Sequence, residues 1–166
     1  MNIFIIIIMV IVNFILQSTI LPSFTIFGVV PNTALIFIIM ISLNKGRYYG
    51  GFVGMAIGLI QDIIFSTTIG VNAFIYFFIG YLIGSLEDTL ARENIVAPVI
   101  FTILGTIFYN FLYFFFMFFL AIEVPFLIFL KEILLIEIIY NVVVAIIVYK
   151  LVGKIFAEPT LRFGKR

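Results

Sequence analysis

Long apolar runs separated by short polar connectors dominate this chain, and their lengths predict its elements. Residues 3–21 form the first run, enough for a helix rising 1.5 Å per residue to cross a hydrocarbon core of about 30 Å. Further runs cover residues 27–43, 48–65, 71–86, 98–121 and 126–152. Pro22, the segment Asn44-Lys45-Gly46-Arg47, the turn Ser66 to Gly70, the segment 87–94 and the pair Glu123 and Pro125 interrupt them. Residues 153–166 make a polar tail. The pattern predicts an all-α integral membrane protein of six transmembrane helices followed by a basic tail. The run at 27–43 is short, because Pro31 lies in its first turns and the fully apolar part is Ala34 to Ile41. Charge placement decides in its favour. With six crossings, Lys45, Arg47, Arg92, Lys150, Lys154, Arg162, Lys165 and Arg166, all but one of the nine basic residues, fall on one side. The positive-inside rule then makes that side cytoplasmic, with both termini there.

Inside these runs the glycines keep a period. Gly46, Gly50, Gly54 and Gly58 recur every four positions and Asp62 continues the series, while Gly80 and Gly84 repeat the spacing in the fourth run. Positions four apart stack on one helix face, so the spacing cuts a strip of bare backbone that ends in a carboxylate. Each glycine costs a helix about 1 kcal/mol relative to alanine, which calls for a compensating contact. In a membrane that contact is the close approach of another helix, from this chain or from a partner.

Composition narrows the function. Hydrophobic residues make up 65% of the chain and charged ones 10%, with 22 phenylalanines, more apolar surface than one water-soluble core can hold. Nine Lys and Arg against eight Asp and Glu form no basic patch before the tail, so no nucleic-acid partner is expected. The chain has no histidine and no cysteine, which removes the usual general base, zinc ligands and thiolates. No catalytic, metal-binding or cofactor-binding residue is therefore assigned. No basic residue precedes the first apolar run and no small-residue cleavage motif follows it, so that run reads as a retained span.

The polar residues within the spans carry the rest of the reading. Asn13 and Gln17 lie one turn apart and mark the inner face of the first helix, where interhelical hydrogen bonds are expected. Asp62 lies near the outer end of its helix, close in sequence to the turn and to Asn72. It can tie that turn to the next helix, or form part of a ligand or ion site. Lys131 can snorkel to the surface beside Glu132. Glu137, with Asn141 one turn on, points inward, either protonated and hydrogen-bonded or facing a partner's cation. A proton relay would need more ionisable groups along one path, and Asp62 and Glu137 fall at different depths.

These residues carry a resemblance. The pattern Gly50-Gly51-x-x-Gly54-x-x-x-Gly58-Leu59-x-x-Asp62, then Gly70, then Tyr76-x-x-x-Gly80-Tyr81-x-x-Gly84, resembles the MreD rod shape-determining family. Pro31-Asn32, the basic connector after the second span, Tyr140-Asn141 and the short basic tail fit it over nearly the whole chain. The resemblance implies a non-enzymatic subunit of the bacterial elongation complex, working with MreC, with the MreB filament, and with RodA and a class B penicillin-binding protein. It also implies the six-helix fold of the substrate-binding S components of energy-coupling-factor vitamin transporters. Gly50, Gly54, Gly58, Asp62, Gly70, Gly80 and Gly84 are the motif residues, and structural roles are expected of them. The competing reading is an S component or small solute transporter. Against it stand the lack of alanine and glycine in residues 2–21 and the lack of tryptophan, so no small ligand is expected.

Overall fold

A helix that is apolar on every side belongs in a protein core or in a bilayer, and at residues 34–41 it is protein that encloses it. Ala34, Leu35, Ile36, Ile38, Ile39, Met40 and Ile41 have no exposed surface. The computed structural model of the protein describes residues 3–86, 95–122 and 133–156, and this stretch is its central column. One of its faces, with Leu35, Ile38 and Ile39, packs against Ile57, Ile75, Tyr76, Ile79 and Met117. The other, with Ile36 and Met40, meets Met9, Ala145 and Val148.

The elements around the column follow in chain order. Helix α1 (Ile3–Ile15) continues through a π-helical turn at Leu16–Ile20 and a 3-10 turn at Leu21–Phe24. Ile26 and Val29 then pair through two backbone hydrogen bonds around Phe27 and Gly28, both at positive φ. Helix α2 (Thr33–Phe65) holds the column and the glycine series, α3 is Val71–Gly84, α4 is Val96–Phe119 and α5 is Leu134–Phe156. Among the described residues there is no strand. Four helices are long and apolar enough to cross a membrane, and α3 is a shorter apolar one.

The runs expected at 27–43 and 48–65 form one element, α2, broken at Gly46, whose φ of 80° and ψ of −178° lie outside the helical region. The chain reverses there. A Cβ at Gly50 would collide with Ser42, and one at Gly54 would come within 3.4 Å of Ile38. In a continuous helix positions eight apart are separated by about 12 Å, so the arm before Gly46 must lie alongside the arm after it. Gly46 is therefore the hinge rather than a rung of the glycine strip, because a positive φ is what glycine tolerates and other residues resist. The helix also starts at Thr33, later than the expected Phe27. Asn32 caps it, its side chain accepting from the Leu35 amide at 3.0 Å, and Pro31 ahead of the cap keeps the preceding backbone extended. The last expected span begins in residues 123–132, outside the described residues, as do Lys131, Glu132, Arg92 and the tail beyond 156.

The glycine strip of α2 is filled from within the chain. A Cβ at Gly54 would sit 2.5 Å from the Tyr76 carbonyl oxygen, one at Gly58 would sit 2.5 Å from the backbone of Ala73, and one at Gly84 would sit 2.5 Å from the backbone of Arg47. A Cβ at Gly80 would strike the Gly50 carbonyl. The two helices thus run antiparallel with backbones in contact, each four-residue step on one answered by a step on the other. Arg47 closes the hinge end of this pair, its guanidinium 5.1 Å from the Tyr48 ring and 6.0 Å from that of Tyr81. Gly70 is a correction to the motif: at φ 102° it shapes a turn, and a Cβ there would meet nothing within 4 Å, so it is not a close-approach position.

Two terms of opposite sign act on Gly58→Ala. Alanine favours the helix by about 1 kcal/mol, while forcing the backbones apart costs about 1–3 kcal/mol and strips contacts along the whole strip. The second wins, so we expect Gly58→Ala to lower the midpoint of detergent or thermal unfolding. Met55→Ala, on the exposed side of the same arm, should stay within about 0.5 kcal/mol of the parent. Equal midpoints for both variants would refute the close contact.

Candidate functional site

Every polar side chain placed in an apolar core must find partners inside the protein, and most of those here converge on the end of the fold opposite the hinge. Asp62, fully buried, ends the second arm of α2. Its Oδ2 accepts from the amides of Gly70 at 2.9 Å and Ala73 at 3.1 Å. Its Oδ1 accepts from the Asn72 amide at 3.2 Å and the Asn72 side chain at 2.8 Å. The carboxylate therefore collects the otherwise unpaired donors at the start of α3, where the helix dipole also favours a negative charge. Gly70, left-handed, turns the chain so that its own amide points back at Asp62. A buried carboxylate in a membrane costs several kcal/mol, and four donors offset that cost without a metal or a cation.

The network continues from Asn72. Its Oδ1 accepts from the Tyr109 hydroxyl at 2.6 Å, which ties α3 to α4. The Tyr109 ring stacks on Tyr76 with centroids 5.3 Å apart, and the Tyr76 hydroxyl donates to Asn32 Oδ1 at 2.9 Å. Asn32 thus serves as helix cap and as a junction, because its own amide donates to Asn141 Oδ1 at 2.7 Å. Asn141 donates in turn to Thr106 Oγ1 at 3.0 Å, joining the start of α2 to α5 and α4. One turn away, Asn110 donates to Glu137 Oε2 at 3.0 Å and to the Thr106 carbonyl at 2.9 Å. Glu137 is 8% exposed and accepts this bond inside the bundle, facing inward as its sequence position suggested.

The amides of α1 divide. Gln17 accepts from Gln61 Nε2 at 2.8 Å and from the Thr33 hydroxyl at 3.5 Å, so it joins α1 to both arms of α2. Asn13 does not meet its expected partner: its Oδ1 is buried without a hydrogen bond, the one such side-chain atom among the described residues. Gln61, Asn32, Tyr76, Thr106, Tyr109 and Asn110 complete the network, although the sequence reading gave them no site role. Gln61 and Asn110 carried the same signal as Asn13 and Gln17, an amide inside an apolar run. Tyr76, Thr106 and Tyr109 carried none, because hydroxyls are common in membrane helices.

Chemically, the arrangement holds two carboxylates among neutral amides and hydroxyls. Among the described residues no cluster of His, Cys, Asp and Glu could hold a metal ion. The hydrogen bonds of Asp62, Asn72, Asn32, Asn141 and Glu137 join different helices, so the network braces the bundle.

Replacing Asp62 with asparagine keeps the shape but turns an NH2 toward backbone donors and removes the charge. Hydrogen bonds to a charged group contribute about 1.5–3 kcal/mol each, so Asp62→Asn should cost at least about 2 kcal/mol of stability. Tyr76→Phe, which leaves the Asn32 cap on Leu35 intact, should cost about 1 kcal/mol. Chemical denaturation in detergent checks both, and a larger loss for Tyr76→Phe would reverse the ranking of cap over junction.

Neither the curated proteins nor the solved structures give a match. A family model described as rod shape-determining protein MreD matches residues 1–155. That match takes in all five helices except the last residue of α5. Apolar helices long enough to span a bilayer make the chain a multi-pass membrane protein. With the match running across nearly the whole sequence, the protein belongs to the MreD family of rod shape-determining proteins.

Proposed function

We propose that the protein is a non-enzymatic membrane subunit of the rod elongation complex, which binds MreC and helps organise lateral peptidoglycan synthesis. RodA with its class B penicillin-binding protein and, through the cytoplasmic face, MreB are the further partners this reading implies. The observation that carries it is family membership across residues 1–155. The core supports it, since both described intramembrane carboxylates, Asp62 and Glu137, are engaged in joining helices. A rigid body with apolar outer faces, such as those bearing Phe111, Phe115 and Ile63, suits a component that acts by contact with lipid and with other membrane helices.

The same reading includes the topology. Six spans at about residues 3–21, 27–43, 48–65, 71–86, 98–121 and 126–152, with both termini and the tail 153–166 in the cytoplasm, put the hinge with Lys45 and Arg47 inside and the Asp62 cap outside. In support, Gly46, Arg47 and Gly84 meet at one end of the helix pair, and Asp62, Gly70 and Ala73 meet at the other. The basic hinge then satisfies the positive-inside rule.

Depletion of the protein from its bacterium should round the cells, and tagged protein purified from the membrane should bring MreC with it. Rod-shaped depleted cells, or a pull-down lacking MreC, would remove the proposal. The chain has no cysteine, so single cysteines report position without interference. Ser66→Cys should label with an impermeant reagent in intact cells, and Asn44→Cys only after the membrane is opened. The reverse pattern would invert the orientation.

A further inference from the structure

At the Asp62 end, between the π-helical turn of α1, the second arm of α2 and α4, lies a cavity of about 320 Å³. Small-ligand sites fall at about 300–1,000 Å³, so the size is that of a site for one small group. Its walls set it apart from two larger grooves, of about 570 and 410 Å³, which are lined by aliphatic and aromatic side chains and face the lipid region. Here Gln17, Gln61, Ser66, Asn72, Tyr109 and Tyr113, all with polar side chains, are among the lining residues.

Their hydrogen bonding leaves specific capacity open. Gln17 and Gln61 hold each other through one amide bond, so each keeps the other half of its carboxamide, one a donor and one an acceptor, with no further partner for Gln61 among the described residues. The Tyr113 hydroxyl likewise has no partner there, while its ring stacks on Tyr109 at 6.0 Å. Asn72 and Tyr109 are already bonded to each other, and Asn72 is anchored to Asp62, so this wall is rigid. Among the described residues that line it none is charged, and Asp62, behind Asn72, has both oxygens occupied by four donors. An ion entering it would lose water without gaining a counter-charge.

We propose that this cavity binds a neutral, hydroxyl-bearing ring of the sugar type, its hydroxyl edge on the two glutamines and Tyr113 and its C–H face against the Tyr113 ring. Donor, acceptor and aromatic face together match such a ring, whereas a purely apolar ligand would leave the amides unpaired. The proposal replaces the expectation of no small ligand, and it does not depend on the role in elongation. The ring can come free in solution or as the headgroup of a neutral glycolipid, and both present the same edge.

The test uses the full-length protein in nanodiscs of zwitterionic lipid. Methyl β-glucoside is the soluble probe, followed by saturation-transfer NMR, and a monoglucosyl diacylglycerol built into the disc is the lipid probe, followed by native mass spectrometry. Glucuronate and glucosamine are the charged comparators. Saturable binding of either neutral probe, weaker by about three- to tenfold in Tyr113→Phe as expected for one hydrogen bond, supports the site. Binding of the soluble form assigns a free ligand, and binding of the lipid form alone assigns a headgroup. Gln61→Leu should abolish binding; because that residue also bonds Gln17, Tyr113→Phe is the deciding variant. No saturable binding of either probe means that the space holds water only. That outcome overturns the proposal, as does equal binding of glucuronate or an affinity unchanged in Tyr113→Phe.

Discussion

Two helices can touch backbone to backbone only where at least one of them lacks a Cβ at the crossing, and that condition governs this protein. The contact between the second arm of α2 and α3 meets it at Gly50, Gly54, Gly58, Gly80 and Gly84. Lipid tails are as apolar as leucine, so water gives helices little reason to associate inside a bilayer, and close dispersion contact has to supply the attraction. The strip does so continuously. With α3 drawn in against it, the first arm can lie along the same surface, where Ser42 and Ile38 reach Gly50 and Gly54. The remaining helices then close around that arm.

The polar network answers a second need, that of direction. Dispersion between apolar faces is tolerant of sliding and rotation, whereas a hydrogen bond in an apolar medium is not, because a misplaced donor is left unpaired. Asp62 fixes where α3 begins, and Asn32 fixes where α2 begins. Asn141 and Thr106 fix the register of α5 against α4, and Glu137 with Asn110 repeats the lock one turn deeper. Both carboxylates are thereby used as acceptors at junctions between elements.

The local parts of this arrangement could be read from the sequence, and the relational parts could not. The four-residue glycine period shows on its own that a bare strip exists, and Asp62 next to a turn with a glycine suggests a cap. What the strip faces depends on the reversal at Gly46. A glycine in series with three helical ones gave no sign that it would leave the helix. Residues 33–45 make only about 20 Å of helix, so a crossing by this run also needs the non-helical residues before Thr33. Residues 34–41 within it are uniformly apolar and are enclosed by protein. In the network, amides announced themselves by their cost in an apolar run, but their pairing across more than a hundred residues, as between Asn32 and Asn141, follows only from the fold. The cavity beside Gln61 had no linear signature, since its lining comes from four separate helices.

The hinge has a further consequence, for biogenesis. Because Gly46 folds the chain back immediately and the Ser66 to Gly70 turn folds it back again, both arms of α2 and their α3 partner are contiguous between Thr33 and Gly84. Contacts close in sequence form sooner than distant ones, and chains emerge from the ribosome N-terminus first. This three-rod unit, with its polar cap formed by Asp62 and Asn72, needs no residue beyond Gly84 for its own contacts. Asn141 lies in the last helix, so its bond to Asn32 is the last of these locks that a chain made from its N-terminus can close.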